Sequence, residues 1–186
     1  VYNSIEKCLE EKPEIAFITN ITSLHIPLAI KLAKHGLDLF IEKPLSNSTN
    51  GVNELKKIIK KKKLITQMGC NLRFHPCITK IRQLVLQNKI GKVISIQSEL
   101  GTYLPDWHPK EDYFQGYASK KNLGGGVILT MIHDIDYLYW IFGNPHSLFS
   151  ISGKFSDLKI SSEDYCSGII CFKKNIFAEL HLDFFQ

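Results

Sequence analysis

In Leu39-Phe40-Ile41-Glu42-Lys43-Pro44, an apolar run of the kind that forms a buried strand ends in a carboxylate, an ammonium and a proline. Pro44 closes the hydrogen-bond ladder and restricts the backbone of Lys43. Open α/β sheets bind ligands in the crevice beyond the carboxyl ends of their strands, and an ammonium desolvated there titrates nearer neutrality and can give or take a proton. Far along the chain, the apolar segment 127–142 carries Thr130, His133, Asp134 and Tyr137 at i, i+3, i+4 and i+7, a polar stripe on a helix that otherwise reads as buried. Burying such groups without partners is costly, so they meet one another, a partner segment or a wet cleft. The plainer alternatives are a satisfied core histidine and a surface lysine. A metal site from His133 and Asp136 lacks a third ligand at a suitable spacing.

Alternating elements lead up to both groups. Residues 4–11 read as the tail of a helix and 15–18 as a short strand closed by Thr19 and Asn20. Thr22 and Ser23 offer N-caps to a helix over 26–35, which stops at Gly36 before a strand over 37–41. This is a β-α-β unit and predicts parallel pairing. A helix over 49–62 and a strand over 64–69 continue the alternation, and a boundary falls near residue 70. Beyond it the pattern predicts a helix over 74–88, a half-buried strand over 93–100 and a long loop over 101–123. The triplet Gly124-Gly125-Gly126 then lets backbone approach closely before the helix over 127–142, and strands follow near 148–153, 167–172 and 177–184. Asn71 and Arg73, just after the last parallel strand, place an amide and a guanidinium at the same sheet edge, where they suit a ribose, an amide or a phosphate; an N-cap asparagine and a solvated arginine are the alternatives. The predicted fold class is α/β: part of a doubly wound parallel sheet over 1–70, then an α+β domain over 71–186 with a largely antiparallel sheet.

Composition excludes several classes. With 44% hydrophobic and 22% charged residues, the chain of 186 supports globular cores and gives no sign of disorder. No apolar run reaches the ~18 residues of a membrane span. Five scattered cysteines without a C-x-x-C pair indicate reduced cytosolic thiols, hence a cytoplasmic setting. Much of the +5 net charge comes from Lys56, Lys57 and Lys60 to Lys63 at one helix end, which reads as a solvated terminus rather than a nucleic-acid surface because no aromatic platform accompanies it. A doubly wound nucleotide domain opens with a glycine-rich turn, yet G-x-G-x-x-G is absent and the chain begins with Val1. It is therefore read as a piece lacking its first β-α-β unit of roughly 60 to 70 residues.

The segments "FITNITSLHIPLAIKLAKHGLDLFIEKPLS", "GCNLRFHP", "IGKVISI", "YLPDWHPKEDYFQGYASKKNLGGGVILTMIHDIDYLYWIFG" and "AELHLDFF" together resemble the Gfo/Idh/MocA family of nicotinamide-dependent oxidoreductases. The resemblance implies NAD or NADP between a Rossmann domain and an open-faced sheet domain, with a sugar-like substrate. It implies Lys43 as the catalytic lysine in a commonly cis Lys-Pro bond, and His133 as the acid/base histidine. Thr19, Asn20, His25, Glu42, Lys43, Asn71 and Arg73 would line the cofactor side, and Tyr103, Trp107, His108, Tyr113 and Thr130 the substrate side. Two positions depart from the pattern: Thr130 stands where the family usually has an aspartate, and Asn20 replaces a proline. The expected activity is hydride transfer between NAD(P) and a hydroxyl-bearing carbon of a sugar, sugar derivative or cyclitol. The rival readings are a non-catalytic binding module of the same fold and, more remotely, a metal-assisted hydrolase. The apolar open face of the second sheet predicts a homo-dimer or homo-tetramer.

Overall fold

The computed structural model describes residues 1–186 and divides into two units, Val1–Gly69 and Cys70–Gln186. In the first, three short strands β1 (Ile15–Ile18), β2 (Asp38–Ile41) and β3 (Thr66–Met68) pair in parallel in that order. Parallel neighbours need crossover connections, and helices α2 (His25–His35) and α3 (Val52–Lys62) supply them. A shorter helix α1 (Ile5–Glu10) precedes β1, its first turn capped by the Ser4 hydroxyl. The core forms where the apolar stripe of α2 (Ile26, Ala29, Ala33) meets Ile18, Leu39 and Ile41 of the strands and Leu55 of α3.

Helix ends follow local chemistry more closely than hydrophobic pattern. Gly36 ends α2 at φ +92°, a left-handed cap that glycine adopts without Cβ strain. The caps expected from Thr22 and Ser23 do not form; a 3-10 turn over Thr22–Leu24 leads straight into α2, with no side-chain cap on either helix. Helix α3 starts at Val52, later than the pattern predicts, because Gly51 takes φ +78°. Its last turn carries Lys60, Lys61 and Lys62, where cations complement the macrodipole.

The second unit holds a mixed four-stranded sheet in the order β4-β7-β6-β5, with β4 (Ser95–Gly101), β5 (Pro145–Gly153), β6 (Tyr165–Phe172) and β7 (Ile176–Asp183). Strands β4 and β7 are parallel; the other two pairings are antiparallel. Ile170, Ala178, Leu180 and Leu182 point to the covered face and pack with Val127 and Leu138. On the opposite face, Phe149, Ile169 and Phe177 stay 69%, 44% and 43% exposed.

Helix α4 (Pro76–Leu86) precedes β4, and a 3-10 turn over Asn71–Phe74 takes the place of the first predicted helical turn. Pro76 sits at the helix start, where a missing N–H breaks no hydrogen bond, and the His75 ring accepts from the Cys77 amide. The long loop contains a four-residue helix, α5 (Leu104–Trp107), and two 3-10 turns. The predicted 127–142 helix is two helices, α6 (Val127–Thr130) and α7 (Ile132–Phe142), separated at Met131 (φ −97°, ψ 28°). The five cysteines form no disulfide with one another, and no helix is long and apolar enough to cross a membrane.

Candidate functional site

The carboxyl ends of the three parallel strands carry the polar groups of the first unit. Thr19 and Asn20 follow β1 and are exposed; Glu42 and Lys43 follow β2 and are half-buried. The peptide bond between Lys43 and the buried Pro44 is cis. His25, 1% exposed, joins the first two strand ends. Its Nδ1 lies 2.8 Å from the Pro44 carbonyl oxygen and its Nε2 2.9 Å from that of Asn20. Carbonyl oxygens only accept, so the ring nitrogen that carries the proton donates to one of these carbonyls, and the imidazole sits against both turns, those of Asn20 and of Lys43.

Gly69, at the end of β3, completes the edge. A Cβ there would lie 2.6 Å from Glu42 Oε2 and 3.2 Å from Glu42 Cα, so the bare glycine is what lets the Glu42 side chain lie across the end of β3. A row of exposed and half-buried polar groups at the carboxyl ends of parallel strands, with a glycine admitting a carboxylate between two of them, is compatible with one edge of a dinucleotide.

In the second unit, Asn71 is exposed at the start of the 3-10 turn. Arg73, two residues on, pairs with Asp136. Its Nε donates to Asp136 Oδ2 at 2.8 Å and its Nη2 to Asp136 Oδ1 at 2.6 Å, and its guanidinium lies 5.8 Å from the Trp140 ring centroid. These hydrogen bonds hold Arg73 above the usual guanidinium range. Arg73 thereby anchors the Asn71 turn to α7, one helical turn past His133. Both oxygens of Asp136 accept from Arg73.

The polar stripe divides. The break at Met131 leaves Thr130 (5% exposed) in α6, outside the helix that carries His133, Asp134 and Tyr137. Asp134, 6% exposed, turns to the sheet, where its Oδ1 accepts from Ser98 Oγ at 3.0 Å and Tyr137 OH at 2.5 Å. Burial and the hydrogen bond to Asp134 push the Tyr137 phenol up to about 12. Helix α7 is thus pinned to β4 through Asp134 and to the Asn71 turn through Asp136, with the half-buried His133 one residue before the first pin and three before the second.

Ser98 and Gly69 were missed by sequence reasoning. Ser98 did leave a signal, being the one hydroxyl on the strand face shared by Ile96 and Leu100. The glycine triplet behaves as expected: a Cβ on Gly125 would sit 2.2 Å from the Tyr117 carbonyl oxygen, and one on Gly126 (φ +107°) 2.1 Å from Glu163 Oε1. Among the loop residues, Tyr103 and Trp107 are 47% and 39% exposed, and His108 stacks on Trp107 with centroids 4.9 Å apart. Tyr113 packs against the core, and its hydroxyl accepts from the Lys159 amide at 3.2 Å.

A three-stranded parallel sheet with polar groups at its carboxyl ends is thus followed by a mixed sheet packed with a histidine-bearing helix. Residues 1–70 match the NAD-binding Rossmann-fold domain of an oxidoreductase family, and residues 78–186 match the GFO/IDH/MocA C-terminal domain. The chain belongs to the GFO/IDH/MocA family of oxidoreductases.

It is 28% identical over 157 residues to the scyllo-inositol 2-dehydrogenase (NAD(+)) of Bacillus subtilis, covering 80% of this chain and 43% of that protein. To the levoglucosan dehydrogenase of Pseudarthrobacter phenanthrenivorans it is 26% identical over 122 residues, covering 64% of this chain and 30% of that protein. The fold superposes on the WlbA dehydrogenase of Bordetella pertussis, solved with NADH and UDP-GlcNAcA, at a TM-score of 0.85 and 15% identity, covering 100% of this chain and 53% of that one. The chain spans less than half the length of these two curated relatives.

Proposed function

We propose that the protein carrying this chain transfers a hydride between NAD(P) and a hydroxyl-bearing carbon of a sugar, sugar derivative or cyclitol. The observation that carries the reading is Lys43, half-buried at the carboxyl end of the central parallel strand, its turn tied by a buried histidine to the end of the neighbouring strand. The relatives named above support the substrate class, since one acts on an inositol and another on an anhydrosugar.

NAD(P), when bound, supplies the two-electron acceptor or donor. The chain's own task is then the proton and the geometry. As an alcohol becomes a carbonyl, its hydroxyl loses a proton while the carbon loses a hydride. His133 takes that proton, and the Lys43 ammonium donates a hydrogen bond to the oxygen as it becomes a carbonyl oxygen. In the reverse direction the same groups return the proton. Thr19, Asn20, Glu42 and Asn71 orient the cofactor, with His25 and Arg73 holding two of their turns; Tyr103, Trp107 and His108 meet the substrate. We also propose that the open sheet face bearing Phe149, Ile169 and Phe177 is covered by a second copy of the chain.

One observation favours a second reading, a binding module of the same fold: Thr130 stands where the resemblance leads one to expect a carboxylate supporting His133. NADH formation across a panel of sugars and inositols, in the protein and its Lys43→Met variant, separates the two. The redox reading expects turnover at least about 100-fold lower in the variant; equal turnover removes Lys43 from the mechanism. Binding of a panel sugar without turnover in the unmodified protein establishes the binding module.

A further inference from the structure

We propose that the second unit holds another ligand site, a pocket of about 390 Å³ between α4, β4 and α7 that takes a small, mainly hydrocarbon molecule bearing one hydrogen-bond donor. It goes beyond the redox reading and does not rest on it, since none of the residues given a redox, cofactor or substrate role above lines this pocket.

The walls are mostly apolar, with Ile78, Ile81 and Val85 from α4, Ile96 from β4, and Leu138 and Ile141 from α7, while Ser95, Gln97 and Glu99 of β4 also line the pocket. The volume falls in the ~300 to 1,000 Å³ range of small-molecule sites, which are mostly apolar with a few convergent polar groups. Ser98 and Tyr137, which also line the pocket, supply those groups, with their hydroxyl oxygens 2.8 Å apart.

The direction of the hydrogen bonds selects the ligand. Both hydroxyls lie within hydrogen-bond distance of the same oxygen of the buried Asp134, at 3.0 and 2.5 Å. A carboxylate only accepts, so both hydroxyl protons are spent within this cluster, on Asp134 or between Ser98 and Tyr137, whose mutual hydrogen bond can run either way. What the two hydroxyls then offer the pocket is lone pairs. Tyr137 keeps its proton throughout the physiological range, being pushed up to about 12 by burial and by Asp134. A ligand hydroxyl or amide N–H satisfies such a patch. An ether or ester presents one more acceptor to it, and an anion meets the Asp134 charge as well. The exposed flanks of the pocket, Ile81 at 48% and Ile90 at 59%, leave an apolar way in.

The test uses three probes of one shape on the intact chain: cyclohexanol, methoxycyclohexane and cyclohexanecarboxylate, followed by backbone amide NMR. Cyclohexanol should bind with a Kd of about 1 mM, as expected of a ligand this small, and shift amides of β4, α4 and α7. Methoxycyclohexane should bind about tenfold more weakly, since it leaves the acceptor patch unpaired, and the carboxylate should not bind. Ile81→Trp, which fills the pocket from an exposed position, should abolish the cyclohexanol shifts while the rest of the spectrum remains folded. Equal affinity for alcohol and ether, shifts elsewhere than on these three elements, or no binding of cyclohexanol to the unmodified chain would overturn the proposal. So would a self-associated chain that Ile81→Trp converts to a monomer, because a second copy would then be the occupant.

Discussion

Replacing Asp136 by asparagine probes whether α7 is held where the site needs it. The Arg73–Asp136 pair is bidentate, at 2.8 and 2.6 Å, with side-chain exposures of 33% and 15%. Exposed ion pairs contribute about 0 to 1 kcal/mol, whereas removing one partner of a fully buried pair costs about 3 to 5 kcal/mol. With one member largely buried and the other a third exposed, the loss should be about 2 kcal/mol, mostly from stranding the guanidinium. Both tryptophans of the chain, Trp107 and Trp140, lie in the second unit, so tryptophan fluorescence reports that unit alone. Trp140 is a sensitive probe of the region, because the Arg82 guanidinium lies 4.4 Å from its ring centroid and that of Arg73 lies 5.8 Å away. With a urea m-value of about 2 kcal/mol/M, the expected loss lowers the midpoint by about 1 M. A double-mutant cycle of Asp136→Asn with Arg73→Gln should return a coupling of at least about 1 kcal/mol. A coupling below about 0.3 kcal/mol would refute the claim that this pair fixes the helix and would return Arg73 to the role of a free ligand-binding group.

Asp164 provides a pH test. Burial alone would raise its carboxyl, but hydrogen bonds from Ser156 Oγ and the Phe155 and Ser156 amides prevail and hold it below the usual carboxylate value. A carboxyl lowered in the folded state stabilises above its unfolded value and loses that contribution as pH falls through the folded one, so the second unit should weaken below about pH 4. Asp164→Asn should cost about 1 to 3 kcal/mol at neutral pH and flatten the acid limb of the urea midpoint against pH; an unchanged limb would show that Asp164 does not drive it. Phe149→Glu tests the open face: Phe149 is 69% exposed, so the unfolding midpoint should hold while sedimentation shows the assembly shifting toward monomer. A monomeric unmodified chain would exclude that face as an interface.

Much of this protein could be read from the order of its residues. The alternation of short apolar strands with amphipathic helices up to residue 69, and of strands alone near the end, points to a parallel sheet followed by a largely antiparallel one, because connection length decides which strands can pair in parallel; the parallel pairing of β4 with β7 appears only in the structure. The position of Lys43 at a strand's end follows from the same local pattern, since Pro44 ends the ladder wherever the sheet places it. Helix boundaries are local as well, yet depend on which glycine takes a positive φ, as Gly51 does and a hydrophobic pattern does not reveal.

Only the tertiary structure decided which polar groups are spent on holding the molecule together. Arg73 and Asp136 are 63 residues apart and Ser98 and Asp134 are 36 apart, so nothing in their neighbourhoods announces the pairing. The break at Met131 divides between two helices a segment whose apolar pattern reads as one. His25 shows the same division: its residue type advertises chemistry, while its two carbonyl partners, 5 and 19 residues away, make it a brace between strand ends. The physical reason is common to all three. Periodicity and turn chemistry act over a few residues and survive in the one-dimensional pattern, whereas the satisfaction of a buried hydrogen-bonding group is settled only when distant segments close around it.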